Sequence, residues 1–406
     1  MSPFTVGAAS CRLGLASTEL PWYHVHDEEG LIMDNRLATL PDLLMCNNGI
    51  QVTTAADWIR KRRPEILELF RTHVYGREPQ PLSVRFHVAE EKGYMGGKAT
   101  RKKVDITFTG PYGKGVIPLL LFVPNAIETD KPAPVFLLIN NRDNDYLDLD
   151  QEEQDEFWPA KAIVDRGYAA AVFHVKDVDP DEHDGFRNGV HGIFEAPGTP
   201  DAPRPSDAWG TIAAWAWGAS RVMDYLVTDT DLDANRVAVV GHSRGGKTAL
   251  WAGALDERFD MIVSNNSGST GAAISRGKTG ETIYHINTRF PHWFAENYKT
   301  YNDRENELPV DQHMLLSLIA PRCVYVSSAT EDTWADPRSE FLSLKLAEPA
   351  YRLLSAPGLG THSFPQPETP IHGEKLGYHL RTGEHDLKEY DWHCFMDFAD
   401  KNRKAN

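Results

Sequence analysis

The apolar run RVAVV leads directly into GHSRGG and then into the helix-like KTALWAGAL, over residues 236–255. A lone G-x-S-x-G pentapeptide is common by chance. Here Gly241-His242-Ser243-Arg244-Gly245 stands where a strand must turn sharply into a helix. Flanking glycines permit a strained turn that lifts a serine Oγ clear of the backbone. Such a turn needs a buried strand below it and a helix packed beside it, so an α/β architecture is expected.

The rest of the chain fits that expectation. VRFHVAEE, KVDITFTG, VIPLLLFVP and PAPVFLLIN are strand-like runs bounded by Gly, Pro or Asn, and they suggest an antiparallel start to a sheet. Strands and helices then alternate through YAAAVFHV, then AWGTIAAWAWGASRVMDYLV, whose Trp209, Ile212, Trp215, Val222 and Leu226 suit a buried helix, then RVAVV, MIVSNNSG, RCVYVSSA, LGYHL and LKEYDWHCFMDFADK. This alternation implies a mostly parallel central sheet with helices on both faces. Before the first strand, AADWIRKRRPEILELFRTHVYG has helix-like apolar spacing; Pro64 is expected to divide it into two short helices and Gly76 to stop it. Residues 177–207 show no sustained periodicity and are expected to form a long loop. At 406 residues the length alone allows two or three domains, but one enlarged core is also permitted. Residues 1–50 are expected to be an irregular extension, and 51–406 a single catalytic domain.

Composition removes several function classes. A formal net charge of −16 opposes binding to phosphate backbones and anionic membranes. No stretch approaches the ~20 apolar residues that span a bilayer. The N-terminus has no basic start followed by an apolar segment, so no signal peptide is read; a compartment outside the cytoplasm would require that a signal had been removed. Cys11, Cys46, Cys323 and Cys394 are too few and scattered for a disulfide framework or a zinc site, and Cys323 reads as a buried thiol. Neither metal nor cofactor is expected, and the chain is expected to act as a monomer.

A serine hydroxyl needs a nearby base, and that base needs an acid to orient it. In a doubly wound hydrolase the chain order is Ser, acid, His, each in a loop after a strand. His385 lies between the last strand and the last helix and is the favoured base. His379 falls within that strand, His393 within the helix, and His362 and His372 in a Pro-rich excursion. For the acid, TEDTWADP offers Glu331, Asp332 and Asp336; Asp332 is central, while Asp336-Pro337 suggests a helix cap. The Arg244 backbone N–H, at a helix N-terminus, is suited to an oxyanion. Arg244 and Lys247 place two cations in that same first turn, an unfavourable location. They either bind the oxyanion or polar substrate oxygens, or are neutralised by nearby carboxylates, or point to solvent.

At this point the sequence resembles the bacterial glucuronoyl esterases, carbohydrate esterase family fifteen. The resemblance rests on GHSRGGKTALWAGALDERFD, VSNNSGSTGAAISR, GETIYHINTRFPHWF, LPVDQHMLLSLIAPR, ATEDTWADPRSEF and RTGEHDLKEYDW, together with VTTAADWIRKRRPEILELFRTHVYGREP. It implies an α/β-hydrolase fold, a three-layer sandwich with a mostly parallel central sheet and helices on both faces, and cleavage of esters between (4-O-methyl)glucuronic acid on xylan and lignin alcohols. By resemblance, Ser243, His385 and Asp332 are the triad, the Arg244 side chain stabilises the transition state, and Lys247, Glu281, Trp293 and Trp334 contact the uronate. One position departs from some members: Asn266 stands where they have a carboxylate. Two other readings stay open, an acetyl or other short-chain carboxylesterase and a non-catalytic carbohydrate-binding protein of the same fold.

Overall fold

The computed structural model describes residues 25–27, 30–32, 39–125, 132–142, 155–196, 203–361 and 363–404. Cys11, His362 and residues 197–202 of the expected long loop lie outside them. Two short strands, β1 (Val25–Asp27) and β2 (Gly30–Ile32), form an antiparallel pair of their own. The main sheet contains β3 (Ser83–Tyr94), β4 (Ala99–Gly110), β5 (Gly113–Pro124), β6 (Ala133–Asn140), β7 (Ala169–His174), β8 (Leu232–His242), β9 (Met261–Asn265), β10 (Cys323–Ala329), β11 (Ile371–His372) and β12 (Leu376–Arg381). Their order is β11-β12-β10-β9-β8-β6-β7-β5-β4-β3.

The six strands from β12 to β7 are mutually parallel. β5, β4 and β3 continue antiparallel at one edge, and β11 pairs antiparallel with β12 at the other. Strands β6, β7, β9 and β10 are buried along their whole length, as strands covered on both faces must be. Alternate residues feed two cores. Val135, Leu137 and Ile139 join Val239, Trp215 and Leu250 on one face, while Phe136 and Leu138 join Val240, Trp392 and Phe395 on the other. The helices Thr211–Leu226 and Arg244–Leu255 cover the first face, and Ala160–Asp165 and Glu389–Lys404 the second. The expected mixed, mostly parallel three-layer arrangement is present. Pro118 is tolerated in β5 because β7 pairs only with Leu120–Phe122, leaving that part of the β5 edge without a partner strand on that side.

Three expectations change. Pro64 does not divide the first helical segment: Ala55–Tyr75 is one continuous run, with wide turns at Trp58–Arg62 and Arg71–Tyr75. The Arg63 N–H reaches back to the Trp58 carbonyl, five residues earlier, and Pro64 then sits in the first turn of Arg63–Phe70, where its missing donor is tolerated. The stop at Gly76 holds, with φ of +84°. Trp209, grouped by spacing with the buried helix, precedes it and is buried at its entrance. The long loop contains a helix, Gly189–Phe194, and places Val178, Val190 and Phe194 in the core. Leu43, Cys46 and Val52 are also buried there.

A buried ion pair ties the segment after β9 to the start of the helix Gln312–Ser317. Asp311 accepts from Arg276 Nη1 at 2.9 Å and from the Ser275 and Gln312 N–H groups at 2.7 and 2.8 Å. Both charged side chains are shut off from solvent. Asp311→Ala is expected to lower stability by about 3–5 kcal/mol in denaturant unfolding, because it strands a buried guanidinium. An unchanged midpoint would contradict that role.

Candidate active site

The turn after β8 is enforced sterically. A Cβ on Gly241 would lie 1.9 Å from the Gly245 carbonyl oxygen, so strand and helix can meet this closely only with glycine there. Ser243 takes φ 56° and ψ −120°, a strained conformation for a residue with a side chain. Its N–H donates to the Asn265 carbonyl at 2.9 Å, which ties the turn to β9, and its own carbonyl accepts from Gly246 and Lys247 as the helix begins. The hydroxyl makes no capping bond. It is left free at the top of the sheet.

β10 and β12 run parallel with Ala329 opposite Arg381, so the loops that follow leave the sheet side by side. Glu331 N–H donates to the Gly383 carbonyl at 2.9 Å and joins them. Asp332 is buried, and its Oδ2 lies 2.6 Å from His385 Nδ1. With Nδ1 committed to the carboxylate, Nε2 is the ring nitrogen left for a proton transfer. Asp336 caps the helix Pro337–Leu353 through the Ser339 N–H, as the Asp-Pro pair suggested. Among the other histidines, His379 is buried against Asp391 at 2.7 Å, His372 lies on β11, and His393 is exposed beside Glu389. Ser243, Asp332 and His385 line one cavity of about 310 Å³, together with Arg244, Lys247, Glu281, Asn266, Trp293 and Trp334.

The two first-turn cations are both neutralised and aimed. Arg244 pairs with Asp181 through Nη1, yet its Nε is buried without a hydrogen-bond partner. Asp181 also accepts from Trp293 Nε1 at 2.8 Å and lies 3.1 Å from His292 Nε2. Burial alone would raise the Asp181 carboxyl, but the His292 and Trp293 hydrogen bonds and the Arg244 charge outweigh it and hold it at about 2. Lys247 donates to the Ser267 and Ser269 carbonyls, and Glu281 stands 3.8 Å away. Burial pushes the Lys247 ammonium below its usual range. Trp293 lies flat against Phe290, with centroids 3.7 Å apart, whereas Trp334 is 48% exposed at the rim. Asn266, at φ +46°, gives its Nδ2 to the Asp386 carbonyl at 3.1 Å and leaves Oδ1 buried and unpartnered.

Three contributors carry no local sequence signal. Asp181 comes from the long loop, far from Arg244 in the chain. His242 packs its ring 4.6 Å from that of His385; burial, then the neighbouring imidazole, push it down to about 3, so it stays neutral. Glu340 is wholly buried behind Asp332, accepting from Gly268 N–H at 2.8 Å and Ser328 Oγ at 2.6 Å, and burial raises it to about 7. Among the described residues no group of His, Cys, Asp and Glu is arranged to hold a metal, and no helix is long and apolar enough to cross a membrane.

Comparison with known proteins gives a consistent set of similarities. A family model described as "Glucuronyl esterase, fungi" matches residues 202–355. Carbohydrate esterase MZ0003, from an unknown prokaryotic organism, is 41% identical over 391 residues, covering 89% of each chain. The 4-O-methyl-glucuronoyl methylesterase of Podospora anserina is 28% identical over 332 residues, covering 78% of this chain and 60% of that protein. A solved glucuronoyl esterase structure from Solibacter usitatus superposes with a TM-score of 0.82 at 42% identity, covering 89% of this chain and 97% of that one.

The Asp181 cluster has a pH signature. Its carboxyl lies below the ordinary 3.8, so its contribution is present above about pH 4 and is lost as pH falls towards 2. The shift corresponds to about 2 kcal/mol. Asp181→Asn is expected to flatten the rise of stability between pH 2 and 4 relative to the parent. Parallel stability profiles would contradict the assignment.

Proposed function

The chain belongs to the bacterial glucuronoyl esterases of carbohydrate esterase family 15, and on that footing we propose that Ser243, His385 and Asp332 perform its hydrolysis through an acyl-enzyme. It is a carboxylic ester hydrolase whose substrates are esters of glucuronic acid. In the proposed cycle His385 Nε2 takes the Ser243 proton as Oγ attacks the C6 carbonyl. The tetrahedral intermediate collapses, His385 protonates the departing alcohol, and a glucuronoyl ester remains on Ser243. A water, deprotonated by His385, then releases glucuronate and restores the serine. Asp332 holds the imidazole and offsets its transient charge.

The observation that carries this reading is the 2.6 Å contact between His385 and Asp332, on the same cavity as a serine raised on a glycine-flanked turn. Charge develops on the carbonyl oxygen. Two features support Arg244 as its partner: its backbone N–H opens a helix, and it lines the cavity beside Ser243. Asp181 would hold that guanidinium in place. For the sugar, Glu281 and Lys247 offer hydrogen-bonding groups to hydroxyls, and Trp293 and Trp334 offer flat apolar faces to ring C–H groups. Glucuronoxylan bearing lignin-type alcohols is the proposed natural substrate, met by a monomer outside the cell. The ester carries no charge on its carboxyl group, so the net charge of −16 does not repel it, whereas the glucuronate product is an anion.

Hydrolysis of benzyl and methyl glucuronate should greatly exceed that of phenyl acetate, and Ser243→Ala should abolish it. A preference for phenyl acetate would favour the short-chain esterase reading, and sugar binding without turnover a binding protein. Asp332→Asn should lower kcat by on the order of 10⁴-fold, because the amide of Asn266 cannot stabilise an imidazolium by charge. Near-parental turnover of Asp332→Asn would place the acid elsewhere.

A further inference from the structure

Among the side chains that hold the loop carrying His385, Asn266 and Thr330 each make one bond to its backbone, whereas Arg381 makes three. Arg381, the buried last residue of β12, donates from Nη1 to the Thr382 carbonyl at 2.9 Å, and from Nη2 to the Glu384 carbonyl at 2.9 Å and the Asp386 carbonyl at 3.1 Å. Two of those three carbonyls belong to the residues on either side of His385. Gly383, at φ +112°, also passes close to the guanidinium: a Cβ there would stand 3.1 Å from Arg381 Nη1. The loop closes onto the guanidinium where it has no side chain.

The guanidinium is itself held. Its Nε donates to Asp391 Oδ2 at 3.1 Å, and Asp391 is fully buried. The same carboxylate accepts from the Lys388 N–H at 2.8 Å, and its Oδ1 lies 2.7 Å from His379 Nε2. Asp391 therefore links the strand before the loop to the helix after it. Neither Arg381 nor Asp391 lines the cavity.

We propose that Arg381, oriented by Asp391, is a positioning residue for His385: its planar fork of donors sets the height and tilt at which the imidazole meets Asp332 and Ser243. The proposal rests on the triad reading above. Lysine keeps the charge and the Asp391 pair but presents a point ammonium that cannot span three carbonyls. A misplacement of about 1 Å costs on the order of 10²-fold in rate.

The test compares Arg381→Lys with the parent and with Arg166→Ala, which removes a surface pair to Asp397 and Asp400 on the same final helix. Three quantities are read: kcat and KM on benzyl glucuronate, and the rate and stoichiometry of labelling by an alkyl fluorophosphonate, which reports serine activation at each folded site. For Arg381→Lys, kcat and the labelling rate should each fall by on the order of 10²-fold. KM should stay within about twofold, and labelling should still reach one per chain. Arg166→Ala should match the parent. A parental labelling rate with reduced stoichiometry would mean that Arg381 only maintains the fold, and an equal loss of kcat in Arg166→Ala would assign the effect to helix stability; either overturns the proposal. If Arg381→Lys does not fold, Arg381→Gln combined with Asp391→Asn removes both buried charges and is read by the same criteria. His385→Ala separates the two levels. Its retaining activity would overturn the triad reading, whereas its loss of activity beside a parental Arg381→Lys would overturn only the positioning role.

Discussion

The parallel pairing of β10 with β12 is the contact on which the site depends. It sets Ala329 level with Arg381, so two loops distant in the chain leave the sheet together and bring Asp332 against His385. One step of slip would carry these side chains to the wrong face. Register is protected because both strands are buried on both sides, with Tyr325, Val326 and Tyr378 fixed in the cores. The serine arrives by a different constraint, the contact between Gly241 and the Gly245 carbonyl that bends β8 into its helix.

Buried and half-buried charge is concentrated around these three arrivals. Arg244 with Asp181, Lys247 with Glu281, Arg381 with Asp391 and the carboxyl of Glu340 all lie at the carboxyl end of the sheet. Burying ions costs free energy that close-packed apolar side chains would not. What the ions provide instead is fixed direction. Arg244 is tied to Asp181, and Arg381 grips the carbonyls of Thr382, Glu384 and Asp386 around an imidazole. Such preorganisation lowers the reorganisation needed when charge develops on substrate.

Local chemistry explains which parts of this were legible in the sequence. Strand-turn-helix punctuation around Ser243, the loop positions of Asp332 and His385 and the alternation of elements all leave short-range marks in residue type and spacing. Asp181 leaves none: it is one acidic residue in a segment rich in them, and only the fold brings it to Arg244. Asp391 looks like an ordinary first-turn acid on an amphipathic helix, and Arg381 like the polar end of a strand. Pro64 misled for a related reason, since a wide turn before it absorbs the lost hydrogen bond and lets the helix continue. Trp293 would be taken for core from its neighbours alone; it is buried, yet it is among the residues that line the cavity. Features set by contacts between distant segments were the ones that spacing could not reveal.

The most direct measurement is peptide mapping of enzyme quenched in acid during turnover of a glucuronate ester. A glucuronoyl mass on the tryptic peptide Val237–Arg244, carried by Ser243, is the expected result. Continued turnover with that peptide unmodified, or an adduct on another residue, would contradict it.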